Sequence, residues 1–295
     1  MNICKIDDSY IKKYFFPPNK YSNKYSQGKL LIIAGSIGMT GAACLSALAA
    51  HRSGTGLVKL IIPKSLNHIF EIKLTESMTI PVLDNKLGYL RIENKDEILE
   101  HLKWADTILI GPGLGRKKTT GKLIREILEF PNKIKILDAD GLYHFSGELE
   151  FLSNLQSEII LTPHQYESSR LFNFNLEDII SQPSIASNKM SNKINKIVIL
   201  KGPTTFISYK SQIFENTTGN QGLATAGTGD VLAGIISSFI SQGLKSLDAA
   251  KIGVYFHGKA ADKLLKLQGY RGMIASDLIQ VLPNILKDYE GLKGV

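Results

Sequence analysis

Short, mainly apolar runs recur along the chain at 29–34, 57–62, 107–110, 134–137, 159–161 and 197–200, with polar or small residues closing each one. Runs of this length without polar alternation predict strands covered on both faces, as in a parallel sheet. The stretch between the first two, 42–52, is rich in Ala and Leu and predicts a helix that Ser53-Gly54-Thr55-Gly56 stops, and 117–129 predicts another. Strand and helix alternate, so the expected fold is α/β, a mostly parallel sheet with helices on both faces. Only 204–208 and 212–215, separated by Tyr209-Lys210-Ser211, predict an antiparallel hairpin, placed at one edge. From 230 onward the chain is helical, with Leu232, Ile235, Ile236, Phe239 and Ile240 on one face, then further helices over 248–265 and 276–286. Residues 1–27 are polar and aromatic, include Pro17-Pro18, and predict an arm lying on the surface of one domain spanning 28–295.

Composition narrows the function classes. The chain has 295 residues, 43% of them apolar and 21% charged, the make-up of a globular domain with its own core. Cys4 and Cys44 are its only cysteines, too few for a disulfide framework or a thiolate metal site, and a cytoplasmic setting is expected. The first residues lack a signal peptide's apolar run, and no stretch reaches the ~18 apolar residues of a spanning helix. The formal net charge of +8 favours anionic partners. The densest basic runs, Arg116-Lys117-Lys118 and 193–196, are short and not interleaved with aromatics, so they predict a solvated face, with neither nucleic acid nor membrane as partner.

In an open parallel sheet, ligands sit beyond the carboxyl ends of the strands. Those ends are Gly35-Ser36 with Gly41-Ala42, Gly111-Pro112-Gly113-Leu114-Gly115, Asp138-Ala139-Asp140, Thr162-Pro163-His164 with Glu167, and Lys201-Gly202-Pro203-Thr204-Thr205, and they are expected to converge on one rim. Each has a plainer reading. Gly111 to Gly115 serves as a tight turn and does not meet the dinucleotide fingerprint. Asp138 and Asp140 read as caps, as does His164, and His257 reads as a packed histidine.

Gly227-Thr228-Gly229-Asp230 is more specific. Glycines at 227 and 229 let the backbone curl into a concavity of N–H groups at the start of a helix, where an anion gains roughly 0.3–2 kcal/mol from the dipole besides direct hydrogen bonds. A carboxylate inside such a hole repels the ligand unless it has chemistry to perform, such as accepting the proton of an attacking hydroxyl. No Walker-type motif is present, so Lys201 and the backbone and hydroxyls near Thr204 and Thr205 are left to hold phosphates.

Taken in order, these segments, with Gly219-Asn220-Gln221-Gly222 and the stretch 224–232, resemble the ribokinase-like superfamily and, within it, the ADP/ATP-dependent NAD(P)H-hydrate dehydratases, over about 24 to the end. The resemblance implies a ribokinase-like three-layer α/β/α domain that phosphorylates the ring hydroxyl of hydrated NADH or NADPH (NADHX or NADPHX) with ADP or ATP and eliminates phosphate, with Mg²⁺ present. By matching position, Asp230 is the base and touches the substrate. Gly227, Thr228 and Gly229 form the anion hole. Lys201, Gly202, Pro203, Thr204, Thr205 and Gly229 contact the nucleotide, Ala42, Gly115 and His164 line the substrate, and Glu167 organises the metal through water. Ala226 and Leu223 depart from the family's usual Gly and Met, and a negative φ is expected at 226. The family also implies self-association. Residues 1–27 hold no epimerase module, so a separate epimerase protein is expected. The competing expectations are a vitamin or sugar kinase of the same fold and a non-catalytic nucleotide sensor.

Overall fold

The computed structural model describes residues 2–290. Ten strands form one sheet: β1 (Ile3–Ile6), β2 (Lys29–Ile33), β3 (Leu57–Pro63), β4 (Met78–Val82), β5 (Thr107–Ile110), β6 (Ile134–Leu137), β7 (Ile159–Leu161), β8 (Ile197–Leu200), β9 (Phe206–Tyr209) and β10 (Gln212–Asn216). Their spatial order is β1-β10-β9-β8-β7-β6-β5-β2-β3-β4. The six apolar runs are β2, β3 and β5 to β8, all mutually parallel.

Pleating sends successive side chains to opposite faces and builds two cores. Leu30, Ile32, Leu60 and Ile136 face the helices Thr40–Arg52, Thr228–Ser241, Ser246–Gln268 and Ala275–Lys287. Leu31, Ile33, Ile110 and Leu137 face those of the chain's middle third, among them Lys118–Glu129 and Pro183–Ile194. Among the described residues no helix is long and apolar enough to cross a membrane.

Three expectations change. The hairpin of β9 and β10 exists, but it is not the sheet's edge, because β1 pairs in parallel with β10 on its outer side. Only β9 runs against the others among the described strands. The first 27 residues therefore do more than lie on the surface: Ile3–Ile6 extends the sheet, and Asp7 then caps the helix Asp8–Tyr14 through its side chain. The helix Thr228–Ser241 is also not amphipathic in place. Nearly every residue after Asp230 is buried, because it is wedged between the sheet and the helices Thr40–Arg52 and Ser246–Gln268.

That wedge sets the height of the 227–230 loop over the sheet. The small Ser46 and Ala49 face Gly234 and leave room for the two backbones to approach, and the Ser46 hydroxyl donates to the Asp230 carbonyl at 2.9 Å. A Cβ at Gly234 would lie 2.3 Å from the Ser46 carbonyl oxygen. Gly234→Ala is expected to destabilise the domain by roughly 2–4 kcal/mol through forced separation of the two helices. Denaturant unfolding measures this, and a loss below about 0.5 kcal/mol would show that the helices separate freely.

Candidate active site at the carboxyl rim of the sheet

The ends of β2, β5, β6, β7 and β8 come together because these strands are neighbours pointing one way. Backbone bonds tie one end to the next. Gly35 N–H donates to Pro112 O at 2.9 Å, the Ser36 hydroxyl donates to Gly113 O at 2.8 Å, and Lys201 N–H donates to Pro163 O at 2.9 Å. Ala42, in the first turn of its helix, lies against Gly113, where an added Cβ would come within 3.2 Å of the Ala42 methyl.

Between β6 and the following helix, Ala139 adopts φ 50° and ψ −122°, a conformation that costs an alanine on the order of 1–3 kcal/mol. The turn aims its two carboxylates apart. Asp140 accepts the Gly115 N–H at 3.0 Å and the Arg116 Nε–H at 3.0 Å. Asp138, 1% exposed, accepts the Lys201 ammonium at 2.9 Å and the Thr162 hydroxyl at 2.5 Å. Both were expected as caps, and Asp138 instead anchors the one lysine of the rim. The pairing joins β6 to β8 across β7, so only the strand order reveals it.

His164 is the N-cap of the helix Gln165–Phe172 and forms a reciprocal capping box with Glu167. Its Nδ1 accepts the Glu167 N–H at 3.2 Å, and Glu167 Oε2 accepts the His164 N–H at 2.8 Å. With Nδ1 an acceptor, the neutral ring carries its proton on Nε2, the nitrogen available to a ligand. Burial holds the His164 pKa below its ordinary value, although Glu167 pulls the other way. Glu167 Oε1 receives no backbone donor among the described residues and lies 3.6 Å from His164 Nε2. Gly202, Pro203 and Thr204 are exposed at the rim, and Thr205 is half-buried with its carbonyl accepting from Asn216 N–H.

At the fourth side stands the 227–230 loop. Gly227 has φ +90°, which only glycine adopts without strain, and it starts the helix with no side-chain cap. The amides of Gly229 and Asp230 meet no partner among the described residues, while that of Thr228 reaches Thr225 O only at 3.5 Å. The Thr228 hydroxyl is turned back into the loop, donating to Leu223 O and Thr225 O, so Thr228 offers the concavity its backbone and not its side chain. The Lys201 ammonium closes the space, 3.3 Å from where a Cβ on Gly229 would sit. Ala226 has no positive φ, as expected.

His257 supports this loop from below. It is 8% exposed, and its Nε2 lies 2.9 Å from Thr228 O. Burial pushes its pKa down to about 4, so the ring is neutral and donates from Nε2. The expected packed histidine is thus also a strut for the loop. Asn220 and the Gly219 amide are tied to the helix Ser246–Gln268 by Asp262.

Charge is unevenly matched here. Burial alone would depress the Lys201 ammonium, but Asp138, Glu167 and Asp230 outweigh it and hold its pKa above the ordinary lysine value. Burial raises the Asp230 carboxyl, Asp138 adds to the rise, and Lys201 opposes it, with a pKa of about 7 as the result. A carboxylate poised near neutrality beside unpaired amides and one ammonium is suited to accept a proton from a nucleophile attacking a bound phosphoryl group. Asp138→Asn removes a like charge and frees Lys201 to turn to Asp230. Both effects act in one direction, and the Asp230 pKa is expected to fall by roughly one unit or more. Carbon-detected NMR titration of the carboxyl measures the shift, and an unmoved titration would show that the two carboxylates do not couple.

A family model described as NAD(P)H-hydrate dehydratase matches residues 30–284 of this chain. A bifunctional NAD(P)H-hydrate repair enzyme of Moorella thermoacetica is 37% identical over 264 residues, covering 89% of this chain and 50% of that protein. The chain spans about half the length of such curated relatives. Among solved structures, a ribokinase-like superfamily protein from Enterococcus faecalis V583 superposes with a TM-score of 0.85 at 27% identity, covering 97% of this chain and 96% of that one. An ADP/ATP-dependent NAD(P)H-hydrate dehydratase from Bacillus subtilis, co-crystallised with ATP and Mg²⁺, has the same fold, with a TM-score of 0.84 at 24% identity over 98% and 100% of the two chains.

Proposed function

This chain belongs to the NAD(P)H-hydrate dehydratase family, and we propose that it returns hydrated NADH or NADPH to the reduced cofactor, with ADP or ATP as phosphoryl donor. The observation that carries the reading is the Asp230 carboxylate, which makes no hydrogen bond among the described residues and has a pKa of about 7, beside the Gly229 and Asp230 amides, likewise without partners among those residues, and the Lys201 ammonium.

Asp230 takes the proton of the ring hydroxyl as its oxygen attacks the terminal phosphorus of the nucleotide, and the bond from that phosphorus to the bridging oxygen breaks. The 227–229 loop and Lys201 hold the phosphoryl oxygens throughout, with no reorganisation needed at the moment of transfer. The ring nitrogen's lone pair then expels phosphate, and loss of a proton from the neighbouring carbon restores the double bond. Ala42 and Gly115 admit the flat ring close to backbone, and His164 donates from Nε2. The 201–205 segment receives the nucleotide.

The donor set fits a water-held divalent cation. Asp138, Glu167 and Asp230 crowd a single ammonium, and among the described residues no group of three His, Cys, Asp or Glu forms a metal cage. Glu167 would hold Mg²⁺ through water, its Oε2 being engaged by the His164 N–H. When bound, the metal offsets phosphate charge. Self-association, and an epimerase protein acting on the same metabolite, belong to the same proposal.

The test incubates the protein with Mg²⁺, ADP or ATP, and hydrated NADH, and follows recovery of dihydronicotinamide absorbance. A vitamin or sugar kinase would leave the hydrate untouched and phosphorylate a thiazole, pyridoxal or sugar instead. Asp230→Asn is expected to lower turnover by roughly 10²–10⁴ with the fold intact. Because the base works only when ionised, kcat/KM should fall as pH drops through about 7. A flat profile from pH 5 to 8 would remove Asp230 from that role.

A further inference from the structure

The basic run Arg116-Lys117-Lys118 opens directly from Gly115, and the fold does not leave Arg116 as a solvated charge on its own. The Arg116 guanidinium carbon lies 4.6 Å from the centre of the Tyr143 ring, and that of Arg170, from the last turn of the helix Gln165–Phe172, lies 4.4 Å from the same ring. Asp140 accepts from Arg116 Nε at 3.0 Å on a side chain 61% exposed, and the two terminal nitrogens make no hydrogen bond or ion pair among the described residues. Arg170 is exposed and makes no ion pair among the described residues, and it lies close enough to His164 to depress that imidazole's pKa.

Two guanidiniums share one ring, and one carboxylate answers them. Stacking on an aromatic face accounts for either arginine singly, but holding two guanidiniums at the same ring concentrates positive charge there, and Asp140 answers only Arg116. An anion with several oxygens relieves that concentration of charge, and paired planar forks suit a phosphate. The position favours a ligand that also touches the rim: Arg116 adjoins Gly115, whose amide Asp140 also accepts, and Arg170 shares its helix with the N-cap His164.

We infer that Arg116 and Arg170, braced on Tyr143, clamp a phosphate of the hydrated dinucleotide, either its pyrophosphate bridge or the 2′-phosphate that distinguishes NADPH from NADH. The inference rests on the function proposed above, since Gly115 and His164 line the dinucleotide only in that reading.

The probes are NADPH, NADH and ADP, titrated by calorimetry into the wild-type protein and into Arg116→Gln, Arg170→Gln and Arg170→Lys. Each glutamine variant is expected to weaken NADPH by roughly tenfold or more, because a charge-assisted fork is lost. The lysine variant should recover part of the loss, since it restores charge without the fork. ADP affinity should stay within twofold. Loss for NADPH with NADH unchanged identifies the 2′-phosphate, and equal loss for both identifies the pyrophosphate. Unchanged affinities in both glutamine variants overturn the clamp, as does a wild-type protein that binds neither dinucleotide, or a loss confined to ADP. If the variants lose NADPH while the wild type fails to regenerate cofactor from the hydrate, the clamp stands and the proposed reaction falls.

Discussion

A single ammonium set among several carboxylates governs the chemistry of this rim. Lys201 is bonded to Asp138 beneath it and has Asp230 and Glu167 in its field, so the local charge is negative although the chain as a whole is basic. That imbalance has two consequences. It leaves the Asp230 proton loosely decided near neutral pH, as a base requires. It also makes the cradle hospitable to phosphate only when positive charge arrives with it, which is why a water-held cation belongs in the proposed reaction.

The scaffold makes this arrangement possible through direction more than through composition. Parallel strands place all their carboxyl ends on one side, so residues from β6 and β8 meet across β7 without any loop having to reach. On one face of the sheet, small residues let the helices Thr40–Arg52 and Thr228–Ser241 pack closely enough for Ser46 to hold the Asp230 carbonyl. His257 fixes the same turn from the helix Ser246–Gln268. The 227–230 loop is thus held from two sides while the amides of Gly229 and Asp230 meet no partner among the described residues, the preorganisation that the proposed reaction requires.

Strain and exposure lie where the ligands are expected. Ala139 is forced to a positive φ so that neighbouring carboxylates can point to different partners, one to Lys201 and one to Gly115 and Arg116. The exposed Gly202-Pro203-Thr204 segment and the exposed Arg116 side chain flank a buried centre, so the floor of the site is rigid and its margins are open.

Much of this was legible in the residues. The bounds of β5, β6, β7 and β8 coincide with the mainly apolar runs at 107–110, 134–137, 159–161 and 197–200, because a strand buried on both faces is apolar at most positions, Thr107 and Lys135 being the buried exceptions here, and is marked off by the first polar or small residue after it. The glycines at 227 and 229 predict, by local chemistry, a turn of free amides, and those of Gly229 and Asp230 meet no partner among the described residues. What the sequence alone could not decide were the matters that depend on which strands become neighbours. The outer place of β1, the use of Asp138 as Lys201's partner and not as a cap, and the meeting of Arg116 with Arg170 on one ring all join residues distant in the chain. Periodicity and turn chemistry act over a few residues, whereas ion pairs and shared rings are set by the packing of whole elements, and only the assembled tertiary structure supplies that geometry.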